Sequence, residues 1–549
     1  MQRIGCTRQY ANKFALRSFA LSLQKILNYN KTVETMIYPI GIQSFEKIRT
    51  DGYVYVDKTA LVYKMATTGS YYFLSRPRRF GKSLLVSTLE AYFSGRRDLF
   101  SGLAIEKLET EWATHPILHL DLNTARYDSP VALLNVLNDT LAYWERLYGT
   151  SPTEVTPELR FKGIVRRAFE QTGRRVVILV DEYDKPMLQT IGNAGLQEEY
   201  RNILKAFYSV LKTQDQYIRF AFLTGVTKFG KVSVFSDLNN LKDISMDRRY
   251  IDICGIMERE IHIYFEDSLH ELADATGSDY DTVCERLRRL YDGYHFEVNT
   301  LGIYNPFSLL NTFDMLKFGD YWFETGIPSF LVHLLRHADY DLNNLQEEFV
   351  SSDLLNSVDS MSQNPIPVIY QSGYLTIKGY DEEFKTYQLG FPNMEVENGF
   401  IKYLLPFYTP VKKNQTEFFI ANFVNDIRNG RPDAFMQRMQ TLFADTSYQV
   451  AGRMEVYFQN SMYLIFKLLG FYTEVERTTS RGRIDIVMKT SKYIYIIEVK
   501  LDGTASDALR QINERGYAAP FASDGRRVYK IGVNFSSAMR GVDEWLTEG

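Results

Sequence analysis

The chain has 549 residues, of which 45% are apolar and 24% charged, the balance of an ordinary folded protein rather than of a disordered or fibrous one. Its 63 Lys and Arg stand against 67 Asp and Glu, which leaves a formal net charge of −4. Because neither sign is in excess, any surface that binds a polyanion must be local. At roughly 150 residues per domain, the length predicts three or four domains.

The three cysteines, Cys6, Cys254 and Cys284, lie far apart, and the 7 histidines are equally scattered. This spacing excludes a disulfide scaffold and a Cys/His zinc site, and it is typical of proteins of the reducing cytoplasm. No apolar run approaches the roughly 20 residues that a membrane-spanning helix needs. We therefore predict a cytoplasmic protein that does not cross a membrane.

Residues 1–35 form a basic, weakly amphipathic segment that lacks the apolar stretch and the small-residue cleavage site of a secretory signal. A much more regular sequence opens at Met36. We interpret residues 1–35 as an N-terminal extension from an over-long gene start, with a short accessory helix as the alternative.

Between residues 71 and 254 the sequence alternates between strand and helix patterns. Short apolar runs at 71–74, 117–122, 176–180 and 220–223 are separated by helix-compatible segments such as 84–93 and 198–211. Continuous apolar strands between helices are typical of a parallel sheet covered on both faces. We therefore predict an α/β domain over residues 36–256.

The rest of the chain divides into two predicted parts. Residues 257–447 are mainly helical and then mixed, with a turn and strand expected at 370–377, and we interpret them as a helical lid and linker. Residues 448–549 predict a second α/β domain, with helices at 454–469 and 505–517. Its strands are expected at 483–488, 493–499 and 528–533, the last of these closing the domain.

The segment Ser75-Arg-Pro-Arg-Arg-Phe-Gly-Lys-Ser83 follows the first strand and leads directly into a helix, which is the setting of a phosphate-binding P-loop (Walker A). Lys82 is expected to reach the β- and γ-phosphates of ATP, and the Ser83 hydroxyl to ligate Mg²⁺. The standard pattern would place its first glycine where Arg76 stands. The expected nucleotide-binding residues of the loop are Arg78, Arg79, Phe80, Gly81, Lys82, Ser83 and Leu84. Arg78 and Arg79 could instead act on the nucleotide of a neighbouring copy in a homo-oligomer, and both interpretations stay open.

A second acidic motif (Walker B) supports a nucleotide site. The strand at 176–180 runs into Asp181 and Glu182, where Asp181 can hold Mg²⁺ through water and Glu182 can deprotonate an attacking water. By itself this pair predicts only a helix cap, but joined to the P-loop in this order it indicates a nucleotide site. At the end of the strand at 220–223, Thr224 is the candidate sensor of the γ-phosphate, with Thr227 as the alternative.

A different acidic centre lies near the C-terminus. Asp485 belongs to one predicted strand, and Glu498 and Lys500 belong to the next, on the same face because strand side chains alternate. Two carboxylates can bind Mg²⁺ or Mn²⁺, which polarises a phosphodiester, while Lys500 positions the attacking water. Glu455, on the preceding helix, is expected to complete the metal site. An isolated surface hairpin with an ion pair is the alternative interpretation.

The charge around this centre favours a polyanionic partner. Between residues 477 and 500 two acids, Asp485 and Glu498, face six basic residues, which are Arg477, Arg481, Arg483, Lys489, Lys492 and Lys500. A basic strip around an acidic pair suits the cleavage of nucleic acid, which we expect to be DNA. On the following helix, Gln511 is a candidate for orienting Lys500, and Tyr517 is predicted to be a core residue.

These motifs together resemble a family of bacterial AAA-ATPase-like proteins fused to a C-terminal PD-(D/E)XK nuclease-like domain. The resemblance extends from about Tyr38 to the C-terminus, and Arg76 belongs to that family's own version of the P-loop. It rests on the segments Tyr53–Thr59, Arg76–Ser83, Val180–Pro186, Leu223–Val226, Asn239–Asp243, Tyr291–Tyr294 and Tyr304–Phe307. It implies an AAA/ASCE-type P-loop NTPase sheet with a helical lid, followed by a restriction-endonuclease-like α/β domain.

Two functional hypotheses follow. In the first, an ATPase that uses ATP and Mg²⁺ controls a Mg²⁺- or Mn²⁺-dependent nuclease with Asp485, Glu498 and Lys500 as its catalytic residues. In the second, the chain is a nucleotide-dependent switch or scaffold whose nuclease fold binds nucleic acid without cleaving it. Metal-dependent cleavage by the purified protein separates the two.

Overall fold

The computed structural model of the chain describes residues 36–228, 235, 238, 240–324, 331, 335, 340–346, 348–356, 364–409, 411–412, 415–444, 454–470, 474–480, 483–539 and 541–549. It gives the backbone alone for residues 324, 344, 346, 356, 444, 454–459, 474–480 and 483–485. The predicted extension at 1–35 lies outside the described residues. Among the described residues, no helix is both long and apolar enough to cross a bilayer.

The N-terminal part is built on a five-stranded sheet in which every strand pair is parallel, as the sequence predicts. The strand order is β2-β3-β4-β1-β5, so that β4 lies between the strand that precedes the P-loop and the strand that ends in the acids. The strands are β1 (Tyr71–Ser75), β2 (Ile117–Asp121), β3 (Val176–Asp181), β4 (Ile218–Gly225) and β5 (Lys242–Asp243).

Helices cover this sheet, and every residue of β1 and β3 is buried. Pro130 and Pro157 open two of the helices at positions where the missing N–H costs no hydrogen bond. The helices are α1 (Phe45–Thr50), α2 (Thr59–Thr68), α3 (Lys82–Phe93), α4 (Pro130–Tyr148), α5 (Pro157–Thr172), α6 (Lys185–Gln189), α7 (Ala194–Tyr208) and α8 (Val210–Thr213). Short 3-10 turns lie at Arg97–Phe100, Ala104–Lys107, Leu122–Thr124 and Asp215–Tyr217.

The middle region, residues 257–447, packs against the first sheet and against the C-terminal part. One apolar core runs through all three parts, and a second joins the lid helices to Tyr38, Val54 and Val56 of the N-terminal segment. The helices are α9 (Glu258–Tyr264), α10 (Glu266–Thr276), α11 (Tyr280–Tyr291), α12 (Pro306–Met315), α13 (Tyr321–Glu324), α14 (Ser352–Asn356), α15 (Ile366–Gln371), α16 (Met394–Tyr408), α17 (Thr416–Arg428) and α18 (Pro432–Ala444).

The strands of the middle region form two small sheets. A two-stranded pair joins β6 (Ile256–Met257) to β7 (Ile303–Tyr304), and a three-stranded sheet has the order β8-β10-β9. Its members are β8 (Glu348–Ser351), β9 (Thr376–Asp381) and β10 (Thr386–Gly390). The predicted turn and strand at 370–377 correspond to the end of α15 and the start of β9.

The C-terminal part is a five-stranded mixed sheet in the order β11-β12-β13-β14-β15, in which only the β13–β14 pair is parallel. Its elements are α19 (Met454–Gly470), β11 (Glu474–Ser480), β12 (Arg483–Lys489), β13 (Tyr493–Leu501), α20 (Ala505–Glu514), β14 (Arg527–Ser536) and β15 (Gly541–Glu548). The prediction that the strand at 528–533 closes the domain is wrong, because β15 follows it. This edge strand is half exposed and carries Asp543, Glu544 and Glu548, so it lacks an apolar run.

Candidate active sites

The carboxyl ends of three strands bring the P-loop and the acidic motif together. Lys82 is the first residue of α3 and its side chain is only 4% exposed. Its ammonium donates to the backbone carbonyls of Arg76 (3.1 Å) and Pro77 (3.2 Å), and it lies 3.8 Å from Glu182 Oε1. The structure thus places Lys82 and Glu182 side by side at one edge of the sheet.

Asp181 lies at the same edge and is buried. Burial raises the pKa of its carboxyl, and a hydrogen bond with the Ser83 side chain opposes this shift. The contact joins the two groups that were expected to share Mg²⁺. A hydroxyl and a carboxylate fit the oxygen ligation that this ion prefers.

Two residues of this edge have left-handed backbone conformations that are uncommon for side chains other than glycine. Arg79 has φ 66° and Glu182 has φ 51°. Strain of this kind concentrates at functional sites, where the surrounding structure holds it. Gly81, which directly precedes α3, has φ 93°, so that the turn into the helix falls on a residue without a Cβ.

The P-loop borders a cavity of about 340 Å³, which lies within the range of small-molecule sites. Both arginines of the loop line it: the Arg79 guanidinium is 5.0 Å from the Phe307 ring centroid, and that of Arg78 is 5.8 Å from the Trp322 ring. The remaining lining residues are Pro39, Ile40, Gly41, Ile42, Gln43, Gly81, Lys82, Ser83, Leu84, Asn123, Glu182, Pro306, Phe307 and Leu310. Three of the lining side chains are cationic, those of Arg78, Arg79 and Lys82, and this charge suits a polyphosphate.

A smaller and mainly apolar pocket of about 100 Å³ adjoins this cavity. The two share wall residues from the N-terminal segment, the loop and α12, which are Pro39, Gly81, Leu84, Pro306 and Leu310. Phe80 lines the apolar pocket and not the larger cavity, and its ring packs edge-on against Tyr294 and Phe296.

The two threonines proposed as sensors hydrogen-bond within the protein. The hydroxyl of Thr224 donates to the Leu74 carbonyl (2.8 Å), and that of Thr227 donates to Asp184 (2.7 Å). Neither residue lines the cavity. A sensing role for Thr224 stays a prediction.

Sequence reasoning missed Asp184 and Asn123. Asp184 is fully buried and accepts hydrogen bonds from the backbone of Val226 (3.2 Å) and from the backbone and hydroxyl of Thr227. It thereby ties the loop after β4 to the acidic motif. Asn123 follows β2 and lines the cavity, and it could have been found because all parallel strands end at the same edge.

The second centre lies on β12 and β13. In the antiparallel register Asp485 stands directly opposite Glu498, as predicted, and Arg483 opposite Lys500. Glu498 is 1% exposed, and its Oε1 accepts a hydrogen bond from the Lys500 ammonium at 3.1 Å. The same ammonium donates to Gln511 Oε1 on α20 at 2.5 Å.

Helix α20 covers this face of the sheet. Ile494 and Ile496 of β13 pack with Ile512, and Tyr517, predicted to be a core residue, is partly buried against this cluster. The side chains of Asp485 and Glu455 lie outside what the structure describes. Among the described side chains, no group of three or more His, Cys, Asp or Glu is close enough to hold a metal. The buried carboxylate of Glu498, with Asp485 opposite in register, fits the oxygen chemistry of Mg²⁺ or Mn²⁺.

The first sheet, with its extra strand between β1 and β3 and with Lys82, Ser83 and Asp181 at its edge, defines a P-loop NTPase of the AAA/ASCE type. The C-terminal sheet, with its Asp485–Glu498 register and Lys500, has a restriction-endonuclease-like architecture. Comparison with known proteins agrees: residues 39–235 match the family described as "Predicted AAA-ATPase", and residues 453–545 match the PD-(D/E)XK nuclease superfamily.

A curated relative matches nearly the whole chain. It is described as an "uncharacterized protein in vnfD 5'region" of Azotobacter chroococcum mcd 1, and it is 35% identical over 530 residues, which are 93% of this chain and 98% of the relative. The chain therefore belongs to the family of AAA-ATPase-like proteins that carry a C-terminal PD-(D/E)XK nuclease domain.

Proposed function

We propose that the chain is an ATPase whose nucleotide state controls a metal-dependent nuclease in the same polypeptide. The observation that carries this proposal is the grouping of polar residues at two separate places in the fold. Lys82, Ser83 and Glu182 meet at one sheet edge, and Glu498 and Lys500 meet opposite Asp485 in another sheet.

In the first site the triphosphate occupies the 340 Å³ cavity and the base enters the adjoining apolar pocket. Lys82 exchanges its two loop carbonyls for phosphate oxygens, and Ser83 and Asp181 would hold Mg²⁺, which would neutralise charge on the phosphates. Glu182 accepts the proton of the attacking water. An apolar pocket favours adenine, whose edge carries fewer polar groups than that of guanine.

In the second site Asp485, Glu498 and Glu455 would hold Mg²⁺ or Mn²⁺, and the bound ion would polarise the phosphodiester and lower the pKa of a water. Lys500, held between Glu498 and Gln511, positions that water and stabilises the negative charge of the transition state. The basic strip at 477–500 supports nucleic acid as the substrate, DNA in the first instance.

Contacts between the two sites support control by nucleotide. The indole N–H of Trp322 donates to the Arg78 carbonyl of the P-loop (3.1 Å), and its backbone N–H donates to Glu395 of α16 (2.7 Å). On the same helix, Glu397 pairs with Lys467 of α19 at 3.3 Å. A displacement of the P-loop is thus passed through α16 to the helix that precedes the nuclease sheet.

Several finer points belong to the same proposal. We place the protein in the cytoplasm, in keeping with its few scattered cysteines. We also propose that copies associate when nucleotide binds, as many ATPases of this type do, with Arg79 exposed at the cavity mouth. The domain limits 36–256, 257–447 and 448–549 are our proposed units.

The test is a cleavage assay with the purified full chain on single-stranded, double-stranded and branched DNA and on RNA, with Mg²⁺ or Mn²⁺, with and without ATP. We expect DNA cleavage that responds to ATP, is lost in Asp485→Ala and Glu498→Ala, and no longer responds to ATP in Lys82→Ala. Cleavage by Glu498→Ala equal to that of the parent contradicts the assigned site. Nucleotide-dependent DNA binding without cleavage supports the scaffold alternative instead.

A further inference from the structure

Asn123 stands at the sheet edge beside the proposed catalytic glutamate. Strand β2 ends at Asp121, which is paired in register with Asp181 of β3. Asn123 follows two residues later in a 3-10 turn, where the Asp121 carboxylate accepts its backbone N–H at 2.7 Å. Asn123 is exposed and lines the same cavity as Lys82 and Glu182.

Lys185 determines how the Asn123 amide is oriented. The Lys185 ammonium lies 2.6 Å from the Asn123 side-chain oxygen and 2.8 Å from its backbone carbonyl. An ammonium group has donors and no acceptor, so the amide atom beside it must be the oxygen. The contact with Lys185 therefore leaves the NH₂ group of Asn123 to donate elsewhere, and the residue itself lines the cavity.

We infer that Asn123 is a catalytic residue that donates to the terminal phosphoryl oxygens in the transition state, and that Lys185 is its positioning residue. The inference rests on the proposed ATPase function. Phosphoryl transfer gathers negative charge on the outer oxygens, and fixed donors there stabilise it. Thr224, the side chain expected at this task, donates to the Leu74 carbonyl instead. Thr224 lies on β4, on one side of β3, whereas Asn123 follows β2 on the other side of β3 and supplies a donor there.

The test compares ATP turnover and ATP binding in Asn123→Ala, Asn123→Asp, Lys185→Ala, Lys185→Arg and the double alanine variant. We expect Asn123→Ala to lower kcat by about 10²-fold with KM unchanged, as for loss of one transition-state donor. Asn123→Asp is expected to be at least as slow, because it replaces the donors by an acceptor. Lys185→Ala should approach the same kcat, Lys185→Arg should restore most of it, and the double variant should be no slower than Asn123→Ala.

The matched control is Thr124→Ala, which alters the next residue of the same turn and should keep the parent kcat. The inference is overturned if Asn123→Ala turns over ATP like the parent, if the two single losses multiply in the double variant, or if KM and the melting temperature change while kcat does not. If the parent protein neither binds nor hydrolyses ATP, the proposed ATPase function itself is contradicted. If the parent hydrolyses ATP and Asn123→Ala has the same kcat, the proposed ATPase function stands and only the inference about Asn123 is overturned.

Discussion

The guanidinium of Arg76 stacks on the ring of Phe296, 3.9 Å from its centroid. It also donates to the carbonyls of Ser75 (2.9 Å), Ser245 (2.7 Å) and Ile251 (3.3 Å), and the residue is 1% exposed. Burial lowers its pKa to about 10. The residue that replaces the first glycine of a standard P-loop thus fixes the loop to the rest of the domain and does not face the phosphate cavity.

Arg76→Gly, which restores the standard motif, is therefore expected to destabilise the protein. Loss of these charged hydrogen bonds and of the ring contact should lower the free energy of unfolding by about 3 kcal/mol or more. Urea denaturation measures the change, with Arg76→Lys as the intermediate control. A glycine variant as stable as the parent would show that the guanidinium contacts contribute nothing.

Glu182→Gln is expected to retain ATP binding and to lose turnover by about 10²- to 10⁴-fold, because the amide cannot accept the proton of the attacking water. Lys82→Ala should lose binding itself, since we propose that the Lys82 ammonium binds the phosphates. Fluorescent-nucleotide titration and phosphate release distinguish the two defects. Turnover at the parent rate in Glu182→Gln would remove the glutamate from the role of base.

Asp184 predicts a pH dependence of stability. Burial raises the pKa of its carboxyl from 3.8 to about 6. The folded protein then keeps a proton that the unfolded chain releases, so this group stabilises the fold below about pH 4 and the contribution is lost as pH rises through about 6.

Asp184→Asn removes this titration and places an NH₂ group near the N–H donors of Val226 and Thr227. It should be less stable than the parent by about 1–3 kcal/mol. The difference in unfolding free energy should narrow as pH rises from about 4 to 7, because only the parent carries the Asp184 carboxyl and loses its contribution over that interval. Urea denaturation across the range measures the difference, and a gap that widens with pH contradicts the predicted sign.

Trp322→Phe tests the connection between the two sites. The variant keeps an aromatic ring and loses the N–H that binds the Arg78 carbonyl. We expect ATP binding and basal cleavage to persist while the response of cleavage to ATP weakens. Tyr321→Phe is the matched control, since its hydroxyl donates to the Lys317 carbonyl, away from the loop. An unchanged ATP response in Trp322→Phe excludes this contact from the coupling.

Gln511→Leu tests the position of Lys500. Without the Gln511 oxygen the ammonium loses one of the two acceptors that the described side chains offer it, and we expect DNA cleavage to slow by about tenfold or more while DNA binding is kept. Asn513→Ala alters the same helix at a residue that bonds to Glu548 and Lys530, and it should cleave at the parent rate. Equal rates in the two variants would show that Gln511 does not position Lys500.

The local patterns of the sequence were sufficient to predict most of the strands and the parallel sheet of the N-terminal part. Apolar runs with turn signals located β1, β2, β3 and β4 and the parallel sheet. The runs are clearest for β1, β3 and β4, because a strand buried on both faces is apolar throughout. The alternation of side chains along β13 placed Glu498 and Lys500 on one face. The edge strands β11 and β15 escaped, since the polar residues in their sequences weaken that pattern.

Which distant polar groups meet was decided by the tertiary structure alone. Three contacts show this: Arg76 with Phe296, Lys185 with Asn123, and Trp322 with Arg78. Each joins residues that are between 62 and 244 positions apart in the sequence. Periodicity and motif spacing report local geometry. The partner of a buried donor depends instead on how separate elements pack and on which acceptors that packing leaves within reach.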